Sequence, residues 1–349
     1  MIDPSVPKSY EEVLGPETRT ALRLAKLVQV ASATDDPFNN PVDSPLDSTG
    51  ILWFEHINLQ VGNRAQADAF YGDFLGCTRD PSPSWHYNLG SQQFHLQDGT
   101  SHVIHGSIGI TVRSLDALRG RQDAASQALA SSRFNVADLA TALTVTCPFG
   151  NTFHVYELAA PPPIDESLPV LAQRHAGWDD GMAVRGKPGI RFLHVRVPMG
   201  SVSGIGEFYA ETFGCTPINV AAGPSGAAVA VPVGPSVHLL FTDDGVTEAE
   251  RAAMSGVHVA IYIERFRATY ERLKDRGLIW TNPRFARLDT CDTWAEAERC
   301  RQFRFRHIVD PEAADLLESP EGAPPILELE HETRAVRHFQ FYKDVPFDG

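Results

Sequence analysis

The sequence predicts an α+β fold assembled from four similar units, each a strand, a helix and further strands. Two observations carry this. The first is an internal duplication. His56-Ile57-Asn58-Leu59-Gln60-Val61 leads to Phe70-Tyr71 and Gly76-Cys77-Thr78, and His194-Val195-Arg196-Val197 leads to Phe208-Tyr209 and Gly214-Cys215-Thr216. Both copies obey H-x13-F-Y-x4-G-C-T, and so many identities in register mark a repeat. The second is a periodicity that switches from two to 3.6 and back within each unit.

Taken in order, residues 1–50 precede the repeats. Pro16 opens an amphipathic helix pattern from Glu17 to about Ala31, and Asp35 to Pro45 reads as an irregular linker. The first unit has a strand over 54–61, a helix over 64–75 ended by Gly76, and strands over 85–89 and 92–97. The second has a strand over 107–112, a helix over 115–129, and strands over 139–147 and 152–158. Pro161-Pro162-Pro163 and the polar stretch to Gly186 form a boundary. The third unit places strands at 191–197, 227–233 and 236–241 around a helix at 203–213. The fourth has strands at 257–263, 302–309 and 326–332 and a helix at 266–276. Insertions at 281–300 and 310–325 exceed a minimal unit and suit a lid or a substrate wall. The expected division is therefore 1–50, a first domain 51–160, a linker 161–186, a second domain 187–332, and a tail 333–349.

Composition narrows the function. The chain of 349 residues carries a net charge of −14 and no basic stripe, which argues against nucleic acid and anionic membranes as partners. Five cysteines without a C-x-x-C pair fit a reducing, cytoplasmic setting. Gly204-Ile205-Gly206 lacks the third glycine of a dinucleotide loop, and no phosphate-binding loop or serine elbow is present.

The His-Ile-Asn-Leu-Gln-Val start, the Phe-Tyr-x4-Gly turn and the Cys147-Pro148-Phe149-Gly150-Asn151 loop before a final strand resemble the vicinal oxygen chelate superfamily. Glyoxalase, bleomycin-resistance proteins and extradiol dioxygenases belong to it. The resemblance covers 51–160 and 188–332 and implies βαβββ modules, each pair curling into an open barrel around a metal ion. It further implies that ligands come from the first and last strands of each module.

Strand phase selects side chains for those slots. Leu193, Val195 and Val197 share one face, leaving His194 on the other. The same reasoning turns His258, Ala260 and Tyr262 inward, sets His238 opposite Val237 and Leu239, and sets Glu328 and Glu330 opposite Leu327 and Leu329. A lone strand histidine is ordinarily a hydrogen-bonded structural residue. The set His194, His238, His258 and Glu328, with two histidines at module starts and a carboxylate at a module end, instead predicts a metal centre. Imidazoles with one carboxylate suit one divalent ion, Fe, Mn, Ni or Zn, and leave positions open for a small chelating substrate. Glu330, His307 and Tyr262, in that order, are the expected acid–base groups. The slots of the N-terminal half, His56, His95, Ser107 and His154, lack a carboxylate and suggest a degenerate site.

The expected chemistry is isomerase or lyase catalysis through an enolate-like intermediate on a small organic substrate. A dioxygenase is the first alternative, although His307 stands where the extradiol signature has tyrosine and Arg299-Cys300-Arg301 where it has an upstream histidine. A metal-free binding protein is the second.

Overall fold

Fifteen strands form two mixed sheets of seven and eight strands among the residues described by the computed structural model, which are 50–80, 85–90, 92–139, 142–157, 188–223, 226–234, 237–311, 325–335, 338 and 340. The N-terminal helix pattern, the 161–186 linker and most of the 310–325 insertion fall outside them.

Each module is recognisable. The first contains β1 (Ile51–Val61), a helix α1 that begins at Arg64–Ala67 and continues with wider turns through Asp68–Phe74, then β2 (Thr78–Arg79), β3 (His86–Leu89) and β4 (Gln92–Asp98). The second contains β5 (Gly106–Val112), α2 (Leu115–Ala128), β6 (Asn135–Asp138), β7 (Ala142–Thr146) and β8 (Thr152–Glu157). The third contains β9 (Gly189–Val197), α3 (Val202–Phe213), β10 (Ile218–Gly223), β11 (Gly226–Pro232) and β12 (His238–Asp243). After α4 (Glu248–Met254), the fourth contains β13 (His258–Ile263), α5 (Phe266–Asp275), α6 (Trp294–Cys300), β14 (Gln302–Ile308) and β15 (Leu327–Ala335). Its expected fourth strand is reduced to one bridge, Ile279 to Phe305.

In every module the first and last strands pair in parallel: β1 with β4, β5 with β8, β9 with β12, and β13 with β15. A helix crosses over between them, as a parallel pair requires. The repeat motif is the hardware of that crossover. Phe70-Tyr71 and Phe208-Tyr209 are fully buried and pack on Phe94 and Phe153, and on Phe305 and Phe241. Gly76 and Gly214 then turn the chain at φ of 79° and 71°, the left-handed region that glycine enters without strain.

The modules do not pair in sequence order. The seven-stranded sheet runs β14-β15-β13-β1-β4-β3-β2, so it joins the first module to the fourth. The eight-stranded sheet runs β10-β11-β12-β9-β5-β8-β7-β6 and joins the second to the third. Antiparallel β1–β13 and β5–β9 contacts are the seams. The expected division into 51–160 and 187–332 is corrected accordingly. A short connection from Asp98 to Gly106 carries the chain from one sheet to the other, and the segment around α4 carries it back. The last strand also reaches Ala335, three residues into the expected tail. One apolar core runs between the sheets. Phe70 of the first module meets Phe153 of the second at 5.3 Å between ring centres, and Tyr209 of the third meets His331 of the fourth.

Candidate metal centre

Swapping the partners moves the candidate site. His56 and His258 open the two modules that share the seven-stranded sheet, and the β1–β13 register places His56 opposite Ala260 and His258 opposite Asn58. The last strands follow the same symmetry: His95 lies beside Asn58, and Glu332 lies beside Ala260. One ligand atom from each of His56, His258 and Glu332 lies within 4.8 Å of the other two. All three residues are buried, and the Glu332 carboxylate approaches the Nε2 atoms of His258 and His56 at 3.4 and 3.9 Å.

The His56 ring is held for ligation. Its Nδ1 lies 3.1 Å from the Glu55 carboxylate, while its buried Nε2 has no hydrogen-bond partner. Adjacent residues of a strand normally face opposite ways. Here the register slips between Phe54 and His56, so Glu55 is the extra residue of a β-bulge and turns inward beside its neighbour. Tyr262 donates to Glu55 at 2.8 Å, and Arg334 pairs with both Glu55 and Glu332. Burial, against the pull of Glu55, lowers His56 to about 4, so the imidazole is neutral and its lone pair available at pH 7. His95 stacks on His56 with ring centres 3.5 Å apart, and His86 stacks on His95 at 3.6 Å.

Glu332 is the anionic member. Burial alone would raise it, but Arg304 and Arg334 hold it well below the usual carboxylate range. Arg304 donates to Glu332 at 2.7 Å and to Glu330 at 2.6 Å, and pairs with Asp289 at 3.0 Å. Burial, opposed by Arg304, raises Asp289 to about 6. Glu55, Glu330, Glu332 and Asp289 outnumber Arg304 and Arg334 in this buried cluster. A divalent cation would offset that excess. Two imidazoles, one carboxylate, an orphaned ring nitrogen and a carboxylate behind it together fit such an ion.

Residues 281–300 cover the centre. Phe285 packs at right angles to His258 with ring centres 5.7 Å apart, Arg304 lies over Phe285 at 4.5 Å, and Asn282 donates to Glu330 at 2.8 Å. Beneath lies a cavity of about 310 Å³ lined by His86, His95, His258, Arg304, Glu332 and Arg334.

The structure does not bring the four predicted ligands together. His258 is in this centre, but His194 and His238 belong to the eight-stranded sheet. His194 bonds Thr242 at 2.9 Å and Ser107 at 3.4 Å. His238 sits beside Phe192 and Pro232 in the ladder. Ala142, Tyr156, Phe192, Ala230 and Leu240 fill part of the interior of that sheet, with the Phe192 ring laid where a Cβ on Gly109 would be. Glu328 turns to Ser255, 3.0 Å away, in a neighbouring chamber. Among the expected acid–base groups, Glu330 is buried between Arg304 and Asn282, Tyr262 is committed to Glu55 and raised well above its usual range by burial, and His307 is lowered by burial and lines neither cavity. His56 and His95 face this centre, whereas His154 and Ser107 line a separate cavity in the other sheet.

Sequence reasoning missed Glu55, Glu332, Arg304 and Arg334. Glu332 shares the inward phase of Glu328 and Glu330, and the signal was there in the alternation Glu328, Glu330, Glu332, Arg334. Charged residues at every second position of a buried strand are rare without partners.

No family model and no curated protein matches this sequence. Among solved structures, the chain is similar to glyoxalase I from Zea mays, with 13% identity, 80% of this chain and 92% of that chain covered, and a TM-score of 0.45. It is similar to the 2,3-dioxygenase LapB from Pseudomonas sp. KL28, with 12% identity, 83% and 94% covered, and a TM-score of 0.27. It is also similar to 2,2',3-trihydroxybiphenyl 1,2-dioxygenase from Sphingomonas wittichii strain RW1, with 14% identity, 82% and 91% covered, and a TM-score of 0.26. The module topology, with parallel first and last strands and two modules to a sheet, is the paired-module α+β fold that the sequence resemblance implies.

Proposed function

We propose that the protein is a metal-dependent enzyme of the vicinal oxygen chelate kind, acting on a small organic substrate. His56, His258 and Glu332 would hold one divalent ion, Fe, Mn, Ni or Zn. The observation that carries this reading is the His56 ring, fixed through Nδ1 by Glu55 and left with a buried, unpartnered Nε2 facing His258 and Glu332.

When bound, such an ion supplies Lewis-acid polarisation of two neighbouring substrate oxygens, the chemistry of isomerases and lyases that stabilise enolate-like charge. The chain's own residues do the rest. Arg304 and Arg334 keep Glu332 ionised and fixed. Phe285, over the His258 ring, excludes water from one side. Glu330, the one expected acid–base group that lines a chamber beside His258, is held there by Arg304 and Asn282 and orients the covering segment. His86 offers an acid–base group in the wall of the cavity beneath the centre, its Nδ1 held 3.3 Å from Asp80.

Elemental analysis of purified protein tests the reading. About one equivalent of metal, lost in His56→Ala, His258→Ala and Glu332→Gln and kept in His194→Ala, supports it. Oxygen consumption by Fe(II)-loaded protein would move the chemistry from isomerase to dioxygenase.

The double hold of Arg304 and Arg334 on Glu332 favours a second reading, a metal-free binding protein whose guanidiniums close the cluster unaided. Protein that contains no metal after growth with all four ions supplied would select it.

A further inference from the structure

A second chamber, of about 250 Å³, adjoins the metal centre and shares Asn58, Gln97, His258 and Phe285 with the first cavity. Its walls are largely polar, and two arginines line it, Arg284 and Arg306. Arg306 is half-buried and lies over the Trp280 ring at 4.9 Å. Arg284, exposed, donates to the Asp98 carbonyl at 3.5 Å and to the Gln60 amide oxygen, and its charge reaches the Asp98 carboxylate, which is itself paired with Arg64. Among the described residues, neither has a carboxylate within ion-pairing distance, in a chain with 44 Asp and Glu against 30 Lys and Arg.

Of the two carboxylates that share the chamber, Glu330 is charge-paired with Arg304 and accepts from Asn282, whereas Glu328 is bonded by the neutral hydroxyl of Ser255, which offsets no charge. The chamber therefore holds two cations against the one carboxylate of Glu328, among the neutral Asn58, Gln60, Gln97 and Asn282, a short step from the site where chelating oxygens would bind. Guanidinium groups suit planar and tetrahedral oxyanions, and hydrogen bonds to them are of the stronger, charge-assisted kind.

We infer that the substrate is a small organic anion with its chelating oxygens at one end and an acid group at the other, received by Arg306 and Arg284. This rests on the metal-centre reading for the chelating end alone. Arg284 lies in the 281–300 insertion and Arg306 in β14, so an anion between them ties the covering segment to the sheet.

The test uses acids that share a chelating 2-oxo-acid head. Oxaloacetate, 2-oxoglutarate and 2-oxoadipate carry a distal carboxylate; 2-oxobutyrate and 2-oxovalerate do not. Binding to metal-loaded protein is followed by Trp280 emission, with Trp280→Phe identifying the signal. At least one diacid is expected to bind roughly tenfold or more tightly than the monoacids, about 1.4 kcal/mol. That advantage disappears in Arg306→Gln and Arg284→Gln, returns in part in Arg306→Lys, and leaves metal content and Tm unchanged. Equal binding of diacids and monoacids to wild type, or an advantage that survives in both Gln variants, overturns the inference. A chain that retains no metal overturns the metal-centre reading instead. The anion site then stands or falls on inorganic phosphate: a Trp280 response absent in Arg306→Gln upholds it, and no response in wild type refutes it.

Discussion

Glu55 grips His56 from the adjacent position of the same strand, 3.1 Å from carboxylate to Nδ1, because a β-bulge turns both side chains to one face. A carboxylate behind a ligating imidazole fixes its tautomer and raises its basicity. Glu55→Gln is therefore expected to weaken metal binding by about 10–100-fold. Chelator competition at neutral pH measures it, and unchanged affinity would remove Glu55 from the centre.

Arg334 is buried with two carboxylates, Glu55 and Glu332, in its grip. Removing one partner of a buried ion pair leaves a stranded charge and costs about 3–5 kcal/mol. Arg334→Met should lower the urea midpoint accordingly in metal-free protein, and added Zn(II) or Ni(II) should recover part of the loss by supplying a replacement cation. No recovery would mean that the cluster is closed without an ion.

The eight-stranded sheet offers a control. Phe192→Ala empties the space over Gly109 and should cost about 3–5 kcal/mol, the usual range for a buried phenylalanine. Its metal content should match wild type. Loss of metal would show that the two sheets share the centre.

His331 gives a clean pH dependence, because it faces away from the centre into the core. Tyr209 lies 2.7 Å from its Nε2, the Leu329 carbonyl lies 2.8 Å from its Nδ1, and burial lowers it to about 3 from 6.5. Below its ordinary value the unfolded chain takes up the proton and the folded chain does not. Its stabilisation is thus complete above pH 6.5 and is lost as pH falls toward 3, at about 1.4 kcal/mol per unit. His331→Gln should flatten the acid limb of a urea-midpoint profile. An unaltered limb would assign acid sensitivity to other groups.

Much of the fold could be read directly. The His56 and His194 repeats, the Phe-Tyr pairs and the turn glycines each report a local requirement, and local requirements survive in sequence. The partner of each module did not show, because the seam between β1 and β13 is made by backbone hydrogen bonds and by apolar residues that would serve either partner. That one ambiguity displaced the site from His194 to His56. Alternation found His258 and the inward face of Glu330. It failed at Glu55, where the bulge breaks the phase on which alternation depends.

The nested order of the modules has a consequence for assembly. His56 and His258 belong to strands on one seam but are separated by about 200 residues of chain, and closing so long a loop costs entropy that grows only with the logarithm of its length. The eight-stranded sheet can form from consecutive modules alone, whereas the seven-stranded sheet waits for β13 to β15. A cation held by His56, His258 and Glu332 would then act as a clasp on the last seam to close, so metal supply would govern how long a finished chain stays shut.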